Sequence, residues 1–129
     1  MPSYGEVVSA QEARLVDELV RFLSIPSVST RAGDCRVAAE YLARRMAAMG
    51  GQVEVFETGG NPVVFAVFGP STAHRQILVY GHYDVQPPDP IDAWETDPFR
   101  PIIRNGRIIA RGATDDKGNL LATVEGLRL

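Results

Sequence analysis

The ten residues LVYGHYDVQP, positions 78–87, start as a hydrophobic strand and end in chemically active side chains. Leu78, Val79 and Tyr80 favour a strand interior, and Gly81 passes the chain to His82, Tyr83 and Asp84. Residues two apart share one face of a strand, so His82 and Asp84 lie side by side if that conformation runs through Tyr83. A carboxylate beside an imidazole accepts the proton of one ring nitrogen, fixes the tautomer and leaves the other nitrogen as ligand or base. In open α/β sheets, sites form at the carboxyl ends of strands, and this pair sits at such an end. His-x-Asp alone is also the pattern of a histidine satisfied by a local hydrogen bond at a loop entrance.

The elements around this strand read as an alternation of helices and strands. Upstream, SAQEARLVDELVRFLSI opens with Ser9 and carries Glu12 three residues on, a capping-box signature. Leu15, Leu19, Phe22 and Leu23 recur at helical spacing, which predicts a helix over about residues 10–24, ended by Pro26. SIPSVSTRAG reads as a polar loop. DCRVAAEYLARRMAAMGG predicts a second helix over about 34–49, with Asp34 as N-cap and Gly50-Gly51 as the left-handed stop. Strands follow near 52–57, 62–69 and 76–82: QVEVFE alternates and is expected half-buried, while PVVFAVFG is more continuously apolar and expected interior. Asn105-Gly106 between two apolar runs predicts a tight hairpin over about 101–110. NLLATVEGLRL predicts a last helix over about 118–128, with Leu120, Leu121, Val124 and Leu127 inward and Glu125 exposed. That helix has no glycine cap, proline stop or polar tail. It is either a C-terminal helix docked on the core or the sign of a chain cut within a domain.

The second chemical cluster is ARGATDDKGN. Asp115 and Asp116 are adjacent like charges, costly together unless solvated or facing a cation. Gly112 and Gly118 bracket them and permit tight turns. The cluster is neither a phosphate loop nor an EF-hand, since Lys117 lacks the glycine pattern of the one and the segment lacks the spaced ligands of the other. A solvated acidic loop, or the N-cap of the following helix, is its simplest reading. Taken with His82 and Asp84, however, it supplies the raw material of a zinc or manganese site. His82 and Asp115 are two ligands, whereas a catalytic zinc usually draws about three from protein. His74 lies at the opposite end of its strand from His82, and Cys35 stands alone.

The bulk numbers narrow the classes. A chain of 129 residues has the length of one domain with a modest core, and its 45% hydrophobic and 22% charged residues are ordinary for a globular protein. A net charge of -3 argues against nucleic acid as a partner, and no apolar run approaches the roughly 20 residues of a membrane span. The N-terminus shows neither the basic nor the apolar region of a signal peptide. A single cysteine allows no intrachain disulfide, which fits a cytoplasmic location.

The run ILVYGHYDVQPPDPIDAWETDPFRPIIRNGRIIARGATDDKGNLLA resembles the N-terminal signature of the co-catalytic zinc exopeptidases. These include carnosinase-type dipeptidases, aminoacylases, acetylornithine deacetylases, succinyl-diaminopimelate desuccinylases and glutamate carboxypeptidases. The match is closest to the dipeptidase branch, through GHYDVQP, WETDPF and RGATDDKG, and RFLSIPSVS extends it across essentially the whole chain. The resemblance implies an α/β fold: part of a three-layer catalytic domain, a mixed sheet with flanking helices, incomplete at its C-terminus. It implies two Zn2+ ions per complete site, with Mn2+ or Co2+ possible. His82 would bind one ion, Asp115 would bridge both, Asp84 would orient His82, and Asp116 would be a neighbour. The substrate implied is a dipeptide or an N-acyl amino acid, hydrolysed at its amide bond. Family members continue beyond this length with a Glu-Glu pair, further ligands and a lid domain through which the parent would form a homodimer. Residues 1–129 would then be the N-terminal part of the catalytic domain, inactive alone. The competing readings are a truncated or degenerate product that keeps only part of the fold, and a small binding module complete as written.

Overall fold

The computed structural model describes residues 1–128. Helix α1 spans Tyr4–Leu23, α2 Asp34–Ala48 and α3 Lys117–Gly126; strands β1 and β2 span Gln52–Phe56 and Val63–Val67, and β3 and β4 span Ile102–Arg104 and Arg107–Ile109. The class is α/β, as expected. Both ladders are antiparallel hairpins, β1 with β2 and β3 with β4, and a parallel bridge joins Val28 to Val85.

Helix α1 starts six residues before the expected position. Its capping box is Ser3 with Glu6, where Ser3 N donates to Glu6 Oε2 at 2.7 Å and Glu6 N to Ser3 Oγ at 3.3 Å. Ser9 and Glu12 have the same spacing but lie inside the helix, so the apolar periodicity marked the helix and the earlier box set its start. In α2 the N-cap is Gly33 with φ 86°, and Asp34 is the first helical residue. The NG hairpin forms as expected, with Asn105 at φ 52° and Gly106 at φ 71°, the two positive values a two-residue turn of this kind needs.

The strand expected at 76–82 does not form. Among the described residues that segment pairs with nothing, and Ile77, Leu78 and Tyr80 are 91%, 86% and 88% exposed. Strand β2 is likewise not interior: it alternates, with Val64 and Ala66 facing the core and Val63, Phe65 and Val67 exposed. A groove of about 1010 Å³ separates the two, walled by Val63–Phe68 and by residues 76–84 and floored by Leu42, Met46 and Val124. A strand holds its form through partners on its edges, and no neighbour reaches across this gap.

The core lies where the helices meet. Phe22, Ala38, Leu42, Met46, Leu121 and Val124 form one buried cluster, with the Phe22 and Tyr41 rings stacked at 5.2 Å. Glu125, expected on the surface, is 2% exposed and binds all three helices together. Its Oε2 accepts from Arg14 of α1 at 2.7 Å, and its Oε1 accepts from Nε of Arg45 of α2 at 2.7 Å. Leu121 and Glu125 are four apart and share one helix face, so a carboxylate at 125 can be buried once arginines meet it there. Burial pushes its carboxyl up, but the two guanidinium groups outweigh burial and hold it below the usual range.

Candidate metal centre

His82 sits between two carboxylates. Its Nδ1 lies 3.2 Å from Asp84 Oδ1 and 3.1 Å from the Asp84 carbonyl, and its Nε2 lies 3.0 Å from Asp115 Oδ1. The two motifs, 33 residues apart in sequence, therefore meet at one ring. Asp116 faces elsewhere: its Oδ2 accepts the backbone N–H of His82 at 3.2 Å and its Oδ1 accepts from Asn119 at 3.1 Å. The adjacent aspartates divide their work, one carboxylate beside the ring and one holding the backbone. The peptide bond between them is cis.

Local structure explains the placement. Residues 83–85 are laced to the loop after α1: Ser27 Oγ donates to the Tyr83 carbonyl at 2.6 Å, Val85 N to the Ser27 carbonyl at 2.8 Å and Ser29 N to the Val85 carbonyl at 3.0 Å. Asp84 is thereby fixed between two anchored neighbours. Gly81 lets this chain approach α3 closely, since a Cβ there would lie 2.9 Å from Leu120 Cδ1 and 3.1 Å from Asp116 Oδ2. On the other side, the loop before α3 is tied to itself. Gly118 N donates to the Gly112 carbonyl at 3.3 Å and Asn119 Nδ2 to the Thr114 carbonyl at 2.8 Å.

The electrostatics favour a positive charge at the ring. Burial works to lower the His82 pKa, but hydrogen bonding to the Asp84 carbonyl and Asp115, with both negative charges, raises it overall. The ring is 40% exposed and the Asp115 carboxylate 83%, so the pair opens to solvent. Two ligand bonds of about 2.1 Å that meet at roughly 90–110° hold their donor atoms about 3.0–3.4 Å apart. The Nε2–Oδ1 separation of 3.0 Å matches that edge, and the donor types, imidazole and carboxylate, suit zinc and related divalent ions. The residues present fit part of such a centre. Among the described residues, no group of three or more His, Cys, Asp or Glu side chains converges on one point.

Sequence reasoning missed two buried polar residues beside the site. Ser27 is fully buried within what read as a polar loop, and Lys117 is fully buried with its Nζ on the carbonyls of Phe22 and Ile25. Burial pushes the Lys117 ammonium down to about 8. Neither carries a signal in composition, because serine and lysine are usually exposed.

Comparison with known proteins finds similar sequences and structures. Residues 78–129 match the model of peptidase family M20/M25/M40. The Cys-Gly metallodipeptidase dug1 of Schizosaccharomyces pombe is 32% identical over 95% of this chain and 29% of its own length. The succinyl-diaminopimelate desuccinylase of Bordetella avium is 38% identical over 83% of the chain and 27% of its own length. Among solved structures, the M20 family metallo-carboxypeptidase Sso-CP2 from Sulfolobus solfataricus superposes with a TM-score of 0.83 at 38% identity, over 88% of this chain and 26% of that one. The chain thus spans less than a third of the relatives that it matches.

Proposed function

We propose, for a chain that carries a peptidase family M20/M25/M40 segment over residues 78–129, that it supplies the first part of a metal centre for amide-bond hydrolysis. The observation that carries this reading is the His82 ring held between Asp84 and Asp115. With Asp84 accepting the Nδ1 proton, the Nε2 lone pair would be left for an ion shared with Asp115. His82 and Asp115 would hold a divalent ion, zinc by preference, with manganese and cobalt sharing the same ligand types. A bound ion there supplies Lewis acidity toward an amide carbonyl. The substrate class is a dipeptide or N-acyl amino acid, in keeping with relatives named as a dipeptidase, a carboxypeptidase and a desuccinylase.

The complete centre needs ligands and a proton acceptor that residues 1–128 do not bring to His82. In this reading residues 1–129 are the N-terminal part of a catalytic domain, the whole protein pairs through a lid domain, and the segment alone has no turnover. A segment that keeps the fold without the chemistry is the second reading, favoured by the absence of a third converging ligand among the described residues.

Equilibrium dialysis against Zn2+ separates the two. Weak zinc uptake by the chain, abolished in both His82→Ala and Asp115→Ala, supports the metal centre. Uptake unaffected by either substitution would show that the ion is held elsewhere and would remove the proposal.

A further inference from the structure

We propose that Lys117 is a positioning residue that sets the distance between Asp115 and His82. The inference rests on reading those two side chains as the metal-holding pair. Lys117 is fully buried, and its Nζ donates to the carbonyl of Phe22 at 3.2 Å and to that of Ile25. The same nitrogen lies 5.0 Å from the centroid of the Phe22 ring. Among the described residues no carboxylate forms an ion pair with it. A buried cation without a counter-ion is a poor way to gain stability, and the carbonyls at the end of α1, with that helix's negative pole, offset only part of the loss. An apolar side chain of similar length would fill the same volume. What the ammonium adds is a fixed point.

That point joins the two halves of the site. His82 and Asp84 are referenced to residues 27–29 through the Ser27, Ser29 and Val85 hydrogen bonds. Lys117 reaches residues 22 and 25, the turn that leads directly into that same segment. Among the described residues, the hydrogen bonds between loop 112–119 and residues 22–29 are those of Lys117. The loop is tied to itself, because Gly118, Asn119 and Leu120 bond back to Gly112, Thr114 and Asp116. Packing continues the anchor: a Cβ on Gly112 would lie 2.8 Å from Val85 Cγ1 and 3.3 Å from Lys117 Cδ. Asp115 hangs from this unit two residues before the anchor, and its only side-chain hydrogen bond among the described residues is the one to His82. A shift of the anchor is therefore passed to the Asp115–His82 distance.

Lys117→Met tests this, with Leu42→Ala as a control that weakens the shared core but leaves the Lys117 hydrogen bonds in place. In the metal-free chain, amide hydrogen exchange is followed for residues 112–120, and the ring nitrogens of His82 are followed by 15N NMR. In parallel, Zn2+ affinity is measured by dialysis. The expected result is exchange across 112–120 and a zinc dissociation constant each raised about tenfold more by Lys117→Met than by Leu42→Ala, after scaling for global stability. Equal effects of the two variants at matched stability would overturn the proposal, since a merely structural lysine acts only through the global equilibrium. Should Lys117→Met not fold, Lys117→Arg keeps donors for both carbonyls but alters the reach. Weakened zinc binding at unchanged stability then supports the role, and unchanged zinc binding overturns it. If the parent chain takes up no zinc, the metal reading falls, and the exchange and ring-nitrogen comparisons still decide the positioning role.

Discussion

Glu125→Gln removes one negative charge from the point where three helices meet and changes almost no volume. In the parent chain, Glu125 accepts charge-assisted hydrogen bonds from Arg14 and Arg45. Each such bond contributes about 1.5–3 kcal/mol, against about 1 kcal/mol for a neutral bond. Breaking a fully buried pair costs about 3–5 kcal/mol, because it strands a charge. Here the stranded charges are less isolated: the Arg14 side chain is 31% exposed, and Arg45, 14% exposed, still has Glu18 Oε2 at 3.7 Å from its Nε. The expected loss is therefore about 2 kcal/mol near neutral pH. With an unfolding entropy of about 2.1 cal/mol/K per residue, that is a fall in Tm of roughly 7 °C. The pH dependence adds a second condition. The Glu125 carboxyl is depressed in the folded state, so its contribution is present above the ordinary value of 4.5 and is lost as the pH falls through the folded value. Urea unfolding of both proteins, followed by circular dichroism from neutral pH to about pH 3, should show a gap that closes as acid protonates Glu125. A gap that stays constant across that range would refute the charge argument, and no gap at all would refute the burial argument.

Three further outcomes follow from particular contacts. Asp84→Asn should weaken zinc uptake by about tenfold, the lower end of such effects, because the Asp84 carbonyl still accepts from Nδ1; dialysis reads the change, and a null result would deny Asp84 its orienting role. Gly118→Ala places a Cβ 2.0 Å from the Ala113 carbonyl oxygen and should cost about 3 kcal/mol or more, whereas Gly126→Ala in the same helix meets nothing within 4 Å and should be neutral or favourable; paired denaturation curves compare them. The exposed apolar walls of the groove between β2 and residues 76–84 should make the chain self-associate, and Leu78→Lys, at a position 86% exposed, should shift its sedimentation toward the monomer.

The sequence was most legible where one local rule governs one element. The NG turn and the presence of all three helices depend on neighbours a few residues away, and the structure shows them, although Leu127, expected inward, is 56% exposed. His82 and Asp84 do lie side by side, but without the strand from which their spacing was read. The sequence was least legible where distant groups decide. Glu125 looks like a surface carboxylate until Arg14 and Arg45, 111 and 80 residues away, are placed against it. The strand expected at 76–82 has the right composition, but a strand is a property of a sheet, and nothing among the described residues pairs with that segment. The start of α1 misled for a different reason, since two capping boxes with the same spacing stand six residues apart and only the outer one caps the helix.

The loop SIPSVS shows how these failures bear on function. Its serines and proline mark it as a surface connection, yet Ser27 and Val28 are fully buried. Its backbone carries the ladder to residues 83–85, and Cys35 Sγ lies 3.4 Å from the Ser27 carbonyl, which seats the start of α2 on the same segment. A buried loop must have its polar groups satisfied, and here the partners that satisfy them belong to residues 83–85, the segment that carries Asp84 and follows His82. The carbonyls just before it, of Phe22 and Ile25, take Lys117, whose loop presents Asp115. The two motifs are far apart in sequence, and neither contains the reason that they meet. That reason lies in a third segment, whose backbone groups at a helix end and in the turn after it bond to both. A chain with the same two motifs but an altered turn at 24–29 would keep every candidate ligand and lose the distance between them.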